Sequence, residues 1–305
     1  MSNWQRPILV GGVGLSFSLW ALQSLHHSVA QLGEFGVVGA IALGTGLLLF
    51  QKKNLKKIDV SLTTSPVDRE TVEKAIAQAE SLINYLETET ENHDTIAQLR
   101  QRIAQLKTEL DRQEIQVAVT GGKGVGKTKL MQVLESNWLP QQQQSIRLKE
   151  TPALFVSAEA DAEAEIAAKE IALAADLVLF VTAGDLTETE FHVLQQLKAA
   201  SQRIMLVFNK QDQYLPTERA IVLQQLRQRV AGRLSADDVV AIASSPALVK
   251  VRHHQSDESV QEWMEQPSAE LSALIEQLNQ ILTQEAQQLI WATTMRTAVA
   301  LKAEA

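Results

Sequence analysis

Residues 115–137 read IQVAVTGGKGVGKTKLMQVLESN. The first six are apolar and rich in β-branched side chains, which suits a short buried strand. They run into Gly121-Gly122-Lys123-Gly124-Val125-Gly126-Lys127-Thr128, which fits G-x-x-x-x-G-K-[ST]. A helical run, KLMQVLESN, follows at once. Each part of this strand, turn and helix has a physical reason to hold phosphate. Glycines admit positive φ, so successive backbone N–H groups can point into one concavity. Gly126, Lys127 and Thr128 open a helix whose positive end favours an anion. Lys127 is placed to reach the outer phosphates, which makes it the one candidate catalytic group, and the Thr128 hydroxyl is placed to ligate Mg²⁺. A glycine-rich turn without ligand is the competing reading, and the strand before and helix after it argue against that.

Outward from this loop, strand candidates recur at 145–149, 153–157, 176–182, 203–208 and 239–243. The first of these is an added edge strand. Helical stretches fall at 160–175, 188–200 and 217–231. Such alternation predicts an α/β fold: a mostly parallel six-stranded sheet with helices on both faces. Ligands of such sheets bind at the carboxyl ends of the strands. At the end of the strand RIMLVF stands Asn209-Lys210-Gln211-Asp212. Asn and Asp also suit a helix-capping turn, but this one follows a strand and lies downstream of a phosphate loop.

The pair GGKGVGKT and NKQD resembles the phosphate-loop GTPase superfamily, whose guanine-specificity signature is N-K-x-D. The segments ADLVLFVTAGDLTETE and RIMLVFNKQDQYLPTERAIVLQQL are most similar to the Era-like branch, particularly its membrane-associated bacterial and cyanobacterial members. The resemblance covers residues 114–250. It implies GTP or GDP with Mg²⁺ as cofactors, and nucleotide contacts from Gly121 to Thr128, Asn209, Lys210, Asp212, Ser244 and Ser245. Asp212 would accept from the guanine ring N–H and exocyclic amine, donors that adenine lacks. Lys210 would lay its stem along the base, Asn209 would tie this loop to the phosphate loop, and Ser244-Ser245 would present a backbone N–H to guanine O6.

Two family motifs are degenerate. Aligning ALFVSAEA with the third motif, D-x-x-G, puts Ser157 and Ala160 at the Asp and Gly positions, with Glu159 or Asp161 as substitute metal partners. Between Lys129 and Ile146 there is no threonine to close over a metal, and Gln141 to Gln144 reads as a solvated loop. Binding and hydrolysis therefore separate: the expectation is a GTP-binding switch with slow or partner-dependent hydrolysis. The alternative is a non-hydrolysing nucleotide-binding scaffold. No G-x-x-G follows residue 250, so the RNA-binding domain of Era proteins is not carried over.

Composition agrees. The 305 residues carry 28 basic and 36 acidic side chains, a net charge of −8, which disfavours a nucleic-acid partner. With no cysteine, disulfides, thiolate catalysis and cysteine–zinc sites are excluded. Of 14 glycines, eight precede residue 47, in a segment of different character. Residues 7–25 form an uncharged run of about 28 Å as a helix, and 35–50 a second of about 24 Å. Lys52, Lys53, Lys56 and Lys57 follow. The expectation is a membrane hairpin in contact with lipid through residues 7–50, with everything after it cytoplasmic, in an inner or thylakoid-type membrane. A cleaved leader ending near Ser28-Val29-Ala30 and a buried soluble hairpin are the rivals.

Between these parts, Val72, Ile76, Ala79, Ile83 and Leu86, then Ile96, Leu99, Ile103, Leu106 and Leu110, repeat at alternating spacings of three and four. Two antiparallel helices over 66–113 are expected, opened by Ser65-Pro66 and Asp68. Their seam would serve either packing on the next domain or self-association and a protein partner. A long helix over 268–303 presents Leu271, Leu274, Leu278 and Ile281 on one side. The expected parts are 1–57 (anchor), 58–113 (stalk), 114–255 (GTPase-like) and 256–305 (C-terminal helix). The histidine pairs His26-His27 and His253-His254 suggest no metal site, since adjacent side chains diverge.

Overall fold

The computed structural model describes residues 67–89, 93–155, 161–254 and 260–304. Contacts divide the chain into Met1–Gly44 and Thr45–Ala305, and every described residue belongs to the second unit. The proposed membrane hairpin, its lysine flank and Ser65-Pro66 lie outside the described residues. Among those described, no helix is long and apolar enough to cross a membrane.

The centre is a five-stranded sheet in the order β2-β1-β3-β4-β5, every neighbouring pair parallel. Its strands are β1 (Ile115–Gly121), β2 (Ile146–Glu150), β3 (Leu177–Thr182), β4 (Ile204–Phe208) and β5 (Val239–Ala241). LVLFVT and IMLVF are buried at every position, because helices cover both faces of a parallel sheet. Alternate side chains feed two cores. Val117, Val119, Leu179, Val181, Met205 and Val207 point one way, against α3 (Lys127–Asn137) and α7 (Ser272–Glu304). Ala118, Val178, Phe180, Leu206 and Phe208 point the other way, against α4 (Asp161–Ala174), α5 (Glu188–Ala199) and α6 (Pro216–Arg229).

The expected sixth strand is corrected. The stretch expected as an edge strand does form the edge, β2, its IRLKE alternating between partly buried and exposed positions, as a one-sided edge requires. Of the stretch 153–157, only 153–155 are among the described residues, and these form no strand. Pro152 precedes them, Leu154 makes a single bridge to Gly122, and Phe155 at φ 64° turns the chain away. A separate antiparallel hairpin, β6 (Val249–His254) with β7 (Val260–Glu265), was not anticipated.

The stalk forms as expected from its spacing. Helices α1 (Arg69–Glu89) and α2 (His93–Leu110) bury Val72, Ile76, Ala79 and Ile83 against Ile96, Leu99, Ile103, Leu106 and Leu110. Asp68 caps α1 by accepting from the Thr71 amide at 2.8 Å, and hydrogen bonding from the Thr71 side chain, followed by that amide, holds its carboxyl below the usual carboxylate range. The seam is not left open. Ala298 and Leu301 of α7 complete this core, with Trp291 and Met295 packed beside them. At about 50 Å, α7 is long enough to serve two cores: Leu274 to Ile290 lie under the sheet, and its last turns close the stalk. Of the two roles expected for this stripe, packing within the chain is the one the described residues display.

A buried ion pair fixes the stalk to the sheet. Arg112, just past α2, gives a two-pronged contact to Asp176 at 2.8 and 2.9 Å, and the Gln116 amide donates to the same carboxylate at 2.8 Å. Burial opposes the Arg112 charge, but the Asp176 hydrogen bonds more than offset it and the guanidinium stays firmly protonated. Arg203 ties the far edge of the sheet to α7 in the same manner, through Asp238 at 2.7 Å and Glu285 at 2.9 Å.

One buried charge has no such compensation. Glu170 in α4 lies between the core residues Ala168 and Ala172, and its Oε2 has no hydrogen-bond partner among the described residues. Burial pushes its carboxyl up to about 7 from 4.5. Because the folded-state value is the higher, its favourable contribution is complete below pH 4.5 and is lost as pH rises through about 7. Glu170→Gln is expected to raise the melting temperature at pH 8 by about 2–4 °C. The gain should vanish near pH 4.5, and equal melting of both proteins at pH 8 would contradict the burial penalty.

Candidate functional site

The polar residues gather where β1, β3 and β4 end, because that rim is where the doubly covered strands release the chain to solvent. Gly121 closes β1 at φ 146°, and a Cβ there would lie 2.2 Å from the Val181 carbonyl oxygen. Only glycine lets β1 turn this close to β3. Gly126, at φ 95°, precedes α3 without any side-chain cap, which leaves the first amides of the helix to other acceptors. A Cβ at Gly126 would come within 2.4 Å of Asn209 Nδ2, so this glycine also admits the neighbouring loop.

Lys127 is buried and its Nζ donates to the carbonyls of Gly121 and Gly122 at 3.0 and 2.9 Å. Burial lowers its pKa, partly offset by the Glu150 carboxylate. The ammonium thus curls back over its own loop, in the concavity where an anion would be held. Thr128 Oγ1 donates to Glu150 Oε1 at 2.7 Å. Lys123 and Gly124 are exposed at the tip of the loop, and Val125 packs inward.

Asn209, 1% exposed, joins three loops. Its amide donates to Thr182 O at 2.8 Å, its Nδ2 to Val125 O at 2.9 Å, and its Oδ1 accepts from the Ser244 amide at 3.0 Å. Lys210 adopts φ 61° and starts the short turn Gln211–Gln213. That conformation carries Asp212 toward the loop after β5. There Asp212 Oδ2 accepts from the Ala247 amide at 3.0 Å, while Oδ1 is shielded from solvent with no partner among the described residues. A shielded carboxylate oxygen without a donor is costly, and it marks where a ligand N–H would fit. Ser244 is buried in this arrangement and Ser245 exposed.

The strand beside β1 ends at Glu150, and Thr151-Pro152-Ala153 follow it. Glu150 meets Thr128. Ser157, Glu159 and Ala160 lie outside the described residues, as does the side chain of Asp161. Sequence reading missed Glu150 because residues 153–157 looked like the third-motif strand. The spacing E-T-P-A directly after the alternating IRLKE was the available signal. The glutamine tract folds back on α3, Gln141 and Gln142 donating to the carbonyls of Asn137 and Trp138.

Among the described residues, no three His, Asp or Glu side chains converge on a metal position. Thr128 and Glu150 do offer two adjacent hard oxygens. That suits Mg²⁺, which keeps several waters and takes few protein ligands beside phosphate oxygens.

No protein-family model matches this chain, and no curated protein matches it. Solved structures do. A GTP-binding protein from the hyperthermophilic archaeon Sulfolobus solfataricus, in complex with GDP, is 15% identical over 71% of this chain and 67% of that one, with TM-score 0.40. A complex of SsGBP and GDP is 17% identical over 73% and 69%, with TM-score 0.42. The apo translation elongation factor SelB of Methanococcus maripaludis is 17% identical over 44% of this chain, with TM-score 0.33, and this chain spans 30% of its length.

Asn209→Ala would strand the Val125 carbonyl and the Ser244 amide together. The expected loss of stability is about 2–4 kcal/mol, measured by urea denaturation. A loss below about 1 kcal/mol would mean that the three loops hold their places without this side chain.

Proposed function

We propose that this chain is a guanine-nucleotide-binding protein of the Era-like type, anchored to a membrane through residues 7–50, with GTP or GDP held at the rim of the sheet. The observation that carries the reading is a conjunction. A lysine-bearing glycine loop and a carboxylate with one shielded, unpartnered oxygen are locked together through Asn209. The amides from Gly122 to Thr128 would surround the phosphates, and Lys127 would exchange the Gly121 and Gly122 carbonyls for phosphate oxygens. Mg²⁺ would be held by Thr128 directly and by Glu150 through water, and would neutralise charge between the outer phosphates. Guanine N1–H would meet Asp212 Oδ1, a donor that adenine lacks. Lys210 would cover the base, and the Ser244-Ser245 turn would face its O6.

Hydrolysis in this reading is slow or depends on a partner. Taking Glu150 as the first residue of D-x-x-G puts Ala153 where the family places a glycine whose amide senses the third phosphate, and no threonine between α3 and β2 is available to close over the metal. The same substitutions favour a second reading, a scaffold that binds GTP without cleaving it. A single-turnover assay with GTP and Mg²⁺ separates the two: phosphate release at the rate of buffer alone supports the scaffold. The uncharged run 7–25 and the lysines after residue 51 support the lipid anchor, and in this reading the nucleotide site lies on the cytoplasmic side of an inner or thylakoid-type membrane. Carbonate washing is expected to leave the full-length chain with the membrane, and its release would remove the anchor.

In calorimetry, GDP and GTP analogues are expected to bind and ATP to bind far more weakly. Asp212→Asn should weaken guanine nucleotides roughly a hundredfold or more, through loss of the acceptor, with xanthine nucleotides little changed. ATP binding as tight as GTP would sink the guanine assignment.

A further inference from the structure

The β6–β7 hairpin pairs with no other strand among the described residues, and every position of β7 is exposed. Trp263 is 45% and Met264 58% exposed. An arm so little packed takes its orientation from its feet. One foot is tied to the loop that carries Asp212, and the other foot is tied to the first. The Ala247 amide, two residues before β6, donates to Asp212 Oδ2 at 3.0 Å. Gln266, the residue after β7, donates from Nε2 to the Pro246 carbonyl at 2.7 Å. Farther on, Ala243 and Glu270 exchange backbone hydrogen bonds at 3.0 and 2.9 Å and close the stem.

We propose that the hairpin is coupled to the nucleotide site through the Asp212–Ala247 hydrogen bond, so that a bound guanine base clamps the arm at its root. This rests on the guanine reading above. One carboxylate serves both partners: Oδ2 already holds the arm, and Oδ1 is the oxygen left for the guanine ring N–H. Filling Oδ1 fixes the carboxylate in the orientation that holds Ala247, and a donor shared with a charged acceptor is the stronger kind of hydrogen bond. The coupling is reciprocal, as any linkage between two sites must be. It also has a distinct information content. The arm reports through the base, so it distinguishes an occupied site from an empty one and responds alike to GDP and GTP. A response of that kind does not need the glycine that Ala153 replaces.

The test uses the full-length chain and hydrogen–deuterium exchange over residues 246–250 and 264–267, with GDP saturation set by calorimetry. The expected result is slowing of these amides by roughly fivefold or more on GDP binding, with the same slowing for a GTP analogue. Replacing residues 249–265 by a short Gly-Ser linker should weaken GDP by a comparable factor. Gln266→Ala keeps the arm and should reduce the GDP-induced protection at 264–267, which gives a readout if the shortened chain does not fold. GDP binding without any change in exchange, or protection by the GTP analogue alone, would overturn the coupling and leave the guanine site standing. Absence of GDP binding at millimolar concentration would overturn the guanine reading and this proposal with it.

Discussion

Three strands with no free face set the terms for everything else in this molecule. β1, β3 and β4 are covered by helices on both sides, so polar side chains along their length would have neither water nor partners. The sequence answers with uninterrupted apolar runs, and its chemistry is displaced to the strand ends. Thr120 and Gly121, Thr182, and Asn209 stand at the successive exits of these strands. Parallel register brings those exits side by side: Gly121 pairs with Val181, and Thr182 with Phe208. A loop rich in glycine and a loop rich in Asn and Asp, 80 residues apart in the chain, become neighbours because the sheet leaves them no other place.

Asn209 converts that neighbourhood into one rigid site. It has one donor group and one acceptor on its side chain, and each is spent on a different loop. Glycine at 126 is what allows it in. The sheet therefore supplies position and Asn209 supplies coherence, while Lys127, Thr128, Glu150 and Asp212 are the groups at this rim that the proposed reading gives to a ligand. Their present partners are backbone groups and one another, contacts that a polyphosphate, a metal ion and a base could exchange without disturbing the core.

The C-terminal helix has an equally mechanical role. Without α7 one face of the sheet would keep only α3 as cover, and one side of the stalk would be open. A single rod of 33 residues covers both, and Arg112–Asp176 pins the stalk to the sheet. The stalk is consequently part of the folded body, and its apolar seam is occupied rather than offered.

Much of this was legible in residues 115–137 and 203–212. Glycine positions, the lysine and hydroxyl after them, and the N-K-x-D after an apolar strand are local patterns whose chemistry follows from residue type and spacing. Helix periodicity in the stalk is local as well, which is why its buried residues match the expected series. The third motif was not legible. IRLKE and ALFVS are both short and partly apolar, and strand pairing, a nonlocal hydrogen-bonding choice, decides between them. Pro152 and the left-handed Phe155 settle it only once β1 is in place to receive Leu154. The occupant of the stalk seam, the orphan oxygen of Asp212 and the tie from Asp212 to Ala247 are of the same kind. They depend on which distant groups end up within 3 Å or so of one another. The sequence by itself determined where the glycine loop with its lysine and the N-K-x-D turn would stand, at the ends of apolar strands. Tertiary structure alone decided which carboxylate meets Thr128 and which helix closes the stalk, because burial and hydrogen-bond satisfaction are settled by the whole chain at once.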